Sequence, residues 1–297
     1  MVIVQDLKQE NIVAALGEGI NLQDWVGRTQ TVTDLIAPFP VAALEASLDR
    51  DGPAPKMGDV LPPLYHWLYF LGTAATEALD VDGHPKRGDF LPPVTLPRRM
   101  WASSDVRFEG DLHIGDMASQ TSTIESIAEK TGRTGPLVFV NLRHDVTGPS
   151  GLCVVDRQTV VYREMPPKDA STPPAKPAPT DDAFHRVVSP SAALLFRYSA
   201  LIFNAHRIHY DHPYTTEVEG YPGLVVHGPL LATLLSDLVR RNTGDAALAA
   251  FQFRAMSPVF DDADFTVCGR ADGDKDVQLW AKNADGGLCV QAQASLK

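Results

Sequence analysis

Residues 197–235 read RYSALIFNAHRIHYDHPYTTEVEGYPGLVVHGPLLATLL, and no other stretch of the chain is as dense in groups able to do chemistry. Asn204, His206 and His209 follow one apolar run, and His227, Gly228 and Pro229 stand directly before another. Proline ahead of apolar periodicity marks a helix start, because its missing N–H costs nothing in the first turn. The pattern predicts a long apolar helix over residues 229–241, reached from a histidine-rich loop. Free amides at such a start, aided by the helix dipole, favour negative charge.

Outward from this stretch, the signals suggest an extended piece at 184–188, a helix at 191–200, and strands at 250–259, 264–271, 277–284 and 288–296. Residues 166–179, PPKDASTPPAKPAP, are proline-rich and nearly free of large apolar side chains, which reads as an extended linker. The expected division is therefore 1–165, a linker at 166–181, and 182–297. In the first half the reading gives an amphipathic helix at 3–17, an extended piece at 25–33, a helix in PFPVAALEASLD, and a buried helix at 64–79 behind Pro62 and Pro63. A long glycine- and proline-rich loop at 81–97 follows, and such loops often cover sites. Strands are expected at 100–108, 117–130, 137–146 and 152–162, with glycines between them. Helices followed by antiparallel hairpins define an α+β fold, and the two halves look like divergent copies.

Composition bounds the function. The chain has 297 residues, enough for two domains, with 44% hydrophobic and 21% charged residues, as in ordinary globular proteins. A formal net charge of -11 argues against nucleic-acid binding, which needs a basic footprint. Local cationic pairs, Arg98 with Arg99 or Arg240 with Arg241, leave room for a small anionic ligand. Cys153, Cys268 and Cys289 form no CxxC pair, so neither a zinc site nor a disulfide framework is indicated, and a reducing cytoplasm fits. The N-terminal residues lack a secretory pattern and no apolar run reaches membrane-spanning length, so a soluble protein without a membrane partner is expected.

Taken together, FNAHRIHYD at 203–211, EGYPGLVVHGPL at 219–230 and FRAMSPVF at 253–260 resemble the MaoC-like (R)-specific enoyl-CoA hydratases in their double hot dog form. LPPLYHWLYF at 61–70, DGHPKRGDFLPP at 82–93 and LPRRMW at 96–101 extend the resemblance through most of the chain, toward hydroxyacyl-thioester dehydratases type 2 and mesaconyl-C4-CoA or itaconyl-CoA hydratases. The resemblance implies two hot dog folds, each an antiparallel sheet around a long helix, at 64–79 and 229–241. It also implies hydration of a 2-enoyl thioester, or the reverse dehydration, without metal or other cofactor. The carrier is coenzyme A or acyl carrier protein, and a homodimer is the expected assembly. Members place an aspartate and a histidine at the spacing of Asn204 and His209, so the asparagine is a departure.

Hydration requires activation of water, protonation of the α carbon and stabilisation of an enolate oxygen. His209 is the candidate base and acid. Asn204 cannot be a base, although its carbonyl can accept from water or fix an imidazole tautomer. The Gly228 amide can donate to the thioester oxygen, whereas Pro62 and Pro63 offer no donor, so one active site per chain is expected. Candidate substrate contacts are His206, Tyr210, Val226, His227, Pro229 and Trp101, with Arg207 for a second carboxylate. Tyr65, His66 and Trp67 are candidate walls of an acyl tunnel. A metal held by His206, His209 and His212 beside Asp211 is a competing reading, disfavoured by the loop-like sequence around Pro213 and Gly220. The rival functions are a hot dog thioesterase and a non-catalytic acyl-CoA-binding protein.

Overall fold

Val138, Val140 and Leu142 are buried at every second position of one strand, the period of a sheet with one face against a core. The same alternation organises most of the chain. The computed structural model describes residues 20–132, 135–165 and 174–297. Its strands are β1 (Thr29–Leu35), β2 (Arg98–Phe108), β3 (Met117–Gly132), β4 (Gly135–Gly148), β5 (Gly151–Arg163), β6 (Phe184–Val188), β7 (Leu248–Ala255), β8 (Phe265–Asp272), β9 (Asp276–Lys282) and β10 (Leu288–Leu296). The helices are α1 (Pro38–Ser47), α2 (Ala192–Leu201) and α3 (Gly228–Thr243).

All ten strands join in one antiparallel sheet, ordered β1-β3-β4-β5-β2-β7-β10-β9-β8-β6. The first five and the last five strands repeat one order, counted from the outer edge on one side and the other, and β2 meets β7 at the seam with Val106 opposite Phe251. Strands and hairpins thus fall where the sequence places them, within a few residues. The expected two sheets are continuous with each other because β2 and β7 share a ladder.

Helix α3 is the long helix of the core. Residues Leu230 to Val239 are buried without a break, and Leu231, Leu234, Leu235 and Leu238 share one apolar cluster with Phe251, Phe265 and Leu279 of the sheet. Gly244, at φ 64°, ends α3 in the left-handed conformation that glycine adopts without penalty. Asp237 lies buried in the same helix, held by Arg50 at 2.7 Å, Arg241 at 2.7 Å and Arg186 at 3.3 Å. Arg240 pairs with Glu45 and Asp245, so the Arg240–Arg241 pair serves helix anchoring and is not a free anionic site.

The expected helix at 64–79 does not form. The chain makes a 3-10 turn at Tyr65–Leu68 and another at Thr76–Ala78, with Leu64 at φ 69° and Phe70 at φ 58°. Left-handed residues on both sides of the first turn interrupt helical propagation. Its residues still read as apolar because Leu64, Tyr65, His66, Leu68, Tyr69 and Phe70 are individually buried. Among the described residues, only the second half therefore has a long helix against its sheet. The expected helix at 3–17 and residues 166–173 of the proline-rich segment lie outside the described residues. The segment's end is docked: Lys176 O accepts from Leu288 N at 2.7 Å, and Ala178 N donates to Gly286 O at 2.9 Å. No described helix is long and apolar enough to cross a membrane.

Candidate active site

His227 occupies the N-cap of α3 with extended backbone, and Pro229 fits the first turn. Its ring is 1% exposed, with Nε2 at 2.8 Å from Ser199 Oγ on α2. Against it lies His209, with ring centroids 3.7 Å apart and planes inclined by 18°. His209 comes from a short 3-10 turn, Arg207–His209, and is 7% exposed. Its Nδ1 is 2.7 Å from the Val225 carbonyl, which can only accept, so Nδ1 carries the hydrogen and Nε2 is the acceptor of the neutral ring. Burial pushes the His209 pKa down to about 4, opposed by the Val225 carbonyl and assisted by the neighbouring His84. At neutral pH this imidazole is therefore uncharged and able to take a proton.

Asn204 folds the loop that delivers His209. Its Oδ1 accepts from the His206 amide at 2.9 Å, a local side-chain turn of the kind asparagine favours. The His206 ring meets His209 edge to face at 5.4 Å and lies against His84 at 4.0 Å. Burial lowers the pKa of His206 and of His227, and each also feels its imidazole neighbours.

Arg207 has its guanidinium already engaged. Nε and Nη2 donate to Asp211 at 2.9 and 2.8 Å, Nη1 donates to Val81 O at 3.0 Å, and the group covers the Tyr214 ring at 3.9 Å. Tyr210 is half exposed and bonds Ala205 O at 3.1 Å. Val226 is buried, with its amide on Val259 O at 2.8 Å.

Gly228, the first residue of α3, has an amide with no carbonyl one turn before it. A Cβ there would meet nothing nearer than Trp101 O at 3.9 Å, so packing within the chain does not require glycine. Trp101 reaches this position from β2. Its ring packs edge-on against Trp67 at 4.9 Å and lies 6.0 Å from Phe253, while Trp67 donates to buried Asp156 at 2.9 Å. The first half of the chain thus brings a backbone carbonyl to the helix start of the second, from a strand residue whose ring joins an aromatic cluster.

The residues that sequence reasoning did not single out are Asp82, His84, Ser199 and Val225. Asp82 and His84 stand in the DGHP motif of the loop expected to cover a site. That loop lies directly on the histidine turn: Arg207 N donates to Asp82 O at 2.9 Å. Gly83, at φ 89°, makes the approach possible, because a Cβ there would fall 1.8 Å from Ala205 O. Asp82 accepts from both the amide and Nδ1 of His84, at 2.8 and 2.9 Å. Donor atoms of Asp82, His84 and His206 lie within 4.8 Å of one another, a compact set for a cation, although the carboxylate is already hydrogen-bonded to the imidazole. This grouping replaces the His206, His209 and His212 set considered from spacing alone, since His209 turns its Nδ1 to Val225.

The chain is similar to known proteins over most of its length. The family model for hydroxyacyl-thioester dehydratase type 2 matches residues 64–261. A mesaconyl-C(4)-CoA hydratase of Chloroflexus aurantiacus is 45% identical over 92% of this chain and 96% of its own length. Among solved structures, a MaoC-like dehydratase of Phytophthora capsici covers 94% of this chain and 99% of its own, at TM-score 0.68 and 14% identity. A Mycobacterium tuberculosis protein described as a double hot dog covers 92% and 96%, at TM-score 0.58 and 13% identity. The fold is a double hot dog, and the chain belongs to the hydroxyacyl-thioester dehydratase type 2 family. Within it the chain is an acyl-thioester hydratase or dehydratase, a hydro-lyase.

Proposed function

We propose that the protein hydrates a short dicarboxylic enoyl-CoA, with mesaconyl-C4-CoA as the first candidate, at one active site per chain. The observation that carries this reading is the stacking of His209 on His227, immediately before Gly228. A neutral imidazole acceptor is thereby stacked on the N-cap residue of the helix that Gly228 opens. In this reading His209 Nε2 takes a proton from water as the oxygen bonds to the β carbon. The electrons shift to the thioester oxygen, where the Gly228 amide and the helix dipole stabilise negative charge. The same proton then passes from His209 to the α carbon. His206, Val226, His227, Pro229, Tyr210 and Trp101 shape the substrate's surroundings, and Asn204 and Arg207 hold the loop.

The dicarboxylic assignment is supported by the Chloroflexus relative and by Arg99. That guanidinium lies close enough to His84 and His206 to lower the pKa of both, and it also lies beside the Tyr162 hydroxyl. A guanidinium so placed suits a second carboxylate on the acyl group better than Arg207, which is already bound to Asp211. Coenzyme A is the proposed carrier, the functional units are 1–165 and 182–297 around the segment 166–181, and the working form is a cytoplasmic homodimer. Three buried, unpaired cysteines accord with a reducing compartment.

The test is a panel of mesaconyl-, itaconyl- and crotonyl-CoA, assayed for hydration and for thiol release. Hydration with preference for a dicarboxylic thioester, reversed or lost in Arg99→Ala, supports the reading; preference for crotonyl-CoA overturns it. His209→Ala should lower kcat by about a hundredfold or more, the scale of general acid–base catalysis.

A further inference from the structure

Hydration makes a demand on the water molecule that His209 alone does not meet. A water molecule aimed at a β carbon has two hydrogens, and fixing its lone pair on the carbon requires an acceptor for each. His209 Nε2 supplies one. On the same loop, Asn204 Oδ1 spends one of its two lone pairs on the His206 amide and is held in the turn by it. The first half of the chain delivers another group to this place. Asp82 accepts from His84 Nδ1, which fixes the tautomer and leaves Nε2 of His84 as an acceptor. His84 in turn lies against His206, with ring centroids 4.0 Å apart and planes inclined by 37°, and His206 meets His209 on its other side. Gly83 lets the loop come this close, and the contacts of Asp82 O with Arg207 N and of Val81 O with Arg207 Nη1 hold it there.

We propose that His84, oriented by Asp82, is a further catalytic residue of the hydratase site, contributed by the first half of the chain and holding the reacting water jointly with His209. The assignment rests on the hydration reaction described above. In the step itself, one O–H bond of water breaks and its proton goes to His209 Nε2. The water oxygen bonds to the β carbon, the π electrons move to the thioester oxygen, and His209 returns the proton to the α carbon. The second hydrogen stays on oxygen throughout, donated to His84 Nε2, and becomes the product hydroxyl hydrogen. Asp82 acts through His84 and is a positioning residue.

The test compares the parent enzyme with His84→Ala, Asp82→Asn and the double variant His84→Ala with Asn204→Asp. All are assayed on whichever of mesaconyl-, itaconyl- or crotonyl-CoA the parent hydrates. A wrong acyl-group assignment therefore changes the probe and not the test. His84→Ala is expected to lower kcat by about a hundredfold with KM changed less than threefold. The added carboxylate of the double variant, placed on the loop that carries His209, is expected to recover at least about tenfold of that loss, a rescue that a purely structural role would not show. Asp82→Asn, which preserves shape, is expected to lower kcat about tenfold and serves as the readout should His84→Ala fail to fold. A kcat for His84→Ala within about threefold of the parent would overturn the proposal. So would a loss that Asn204→Asp leaves unrepaired, an unchanged kcat in Asp82→Asn, or activity abolished by a chelator and restored by zinc.

Discussion

His209 and His227 lie ring on ring, 3.7 Å between centroids, while Ser199 Oγ meets the His227 ring at Nε2 and the Val225 carbonyl meets the His209 ring at Nδ1. One backbone carbonyl thus sets the tautomer of the imidazole assigned to water activation, and a neighbouring ring anchored by Ser199 sets its plane. Uncharged rings can stack in this way; two imidazolium ions would repel. The stack is therefore tied to the neutral state that burial enforces.

That linkage gives stability a sign with pH. The folded pKa values of His84, His144, His206, His209 and His227 are all lowered from 6.5, first by burial, and that of His209 to about 4. Below the ordinary histidine pKa the unfolded chain takes up protons that the folded chain refuses. Stability is therefore full above that value and falls as pH drops toward the folded values, by up to about 1.4 kcal/mol per pH unit for each such group. Urea unfolding between pH 7.5 and 5 should show a slope corresponding to more than one proton. His227→Phe should reduce that slope.

Gly228→Ala separates ligand approach from fold. An added methyl has room within the chain, and alanine is the better helix former, so the melting temperature should hold or rise slightly. The methyl would face the thioester, and kcat/KM should fall about tenfold or more. A folded variant with undiminished turnover would remove Gly228 from the oxyanion assignment.

Gly83→Ala should behave in the opposite way. Its Cβ would overlap a backbone carbonyl at a positive φ, which no side-chain rotation relieves. A destabilisation of about 1–3 kcal/mol is expected, with loss of activity through displacement of the 81–84 loop. Thermal unfolding with parallel hydration assays would show both effects.

Asp237→Ala should be among the most damaging substitutions remote from the active site. It leaves Arg50, Arg186 and Arg241 without their shared buried partner, and removing one side of a buried ion cluster costs about 3–5 kcal/mol. Denaturant midpoints would report it, while catalysis by the folded fraction should change little.

Local sequence determined much of this protein. The strands are legible because alternation over Val138, Val140 and Leu142 reflects a pleat with one buried face, and α3 is legible because Pro229 marks its start and an apolar run follows. The local structure around His209 and Gly228 is legible in the same way, since it is set within one short stretch. Residues 64–79 mislead because apolar content records burial, and burial does not distinguish a helix from a chain broken by left-handed Leu64 and Phe70. Tertiary structure alone decided that two five-stranded sets join at β2 and β7, that Arg207 spends its charge on Asp211, and that Asp82 and His84 meet His206 across more than a hundred residues of sequence. The physical reason is the same in each case. Periodicity and turn chemistry act over a few neighbours, whereas a site shared between two halves depends on close approaches, such as that of Gly83 to Ala205, which only the folded chain creates.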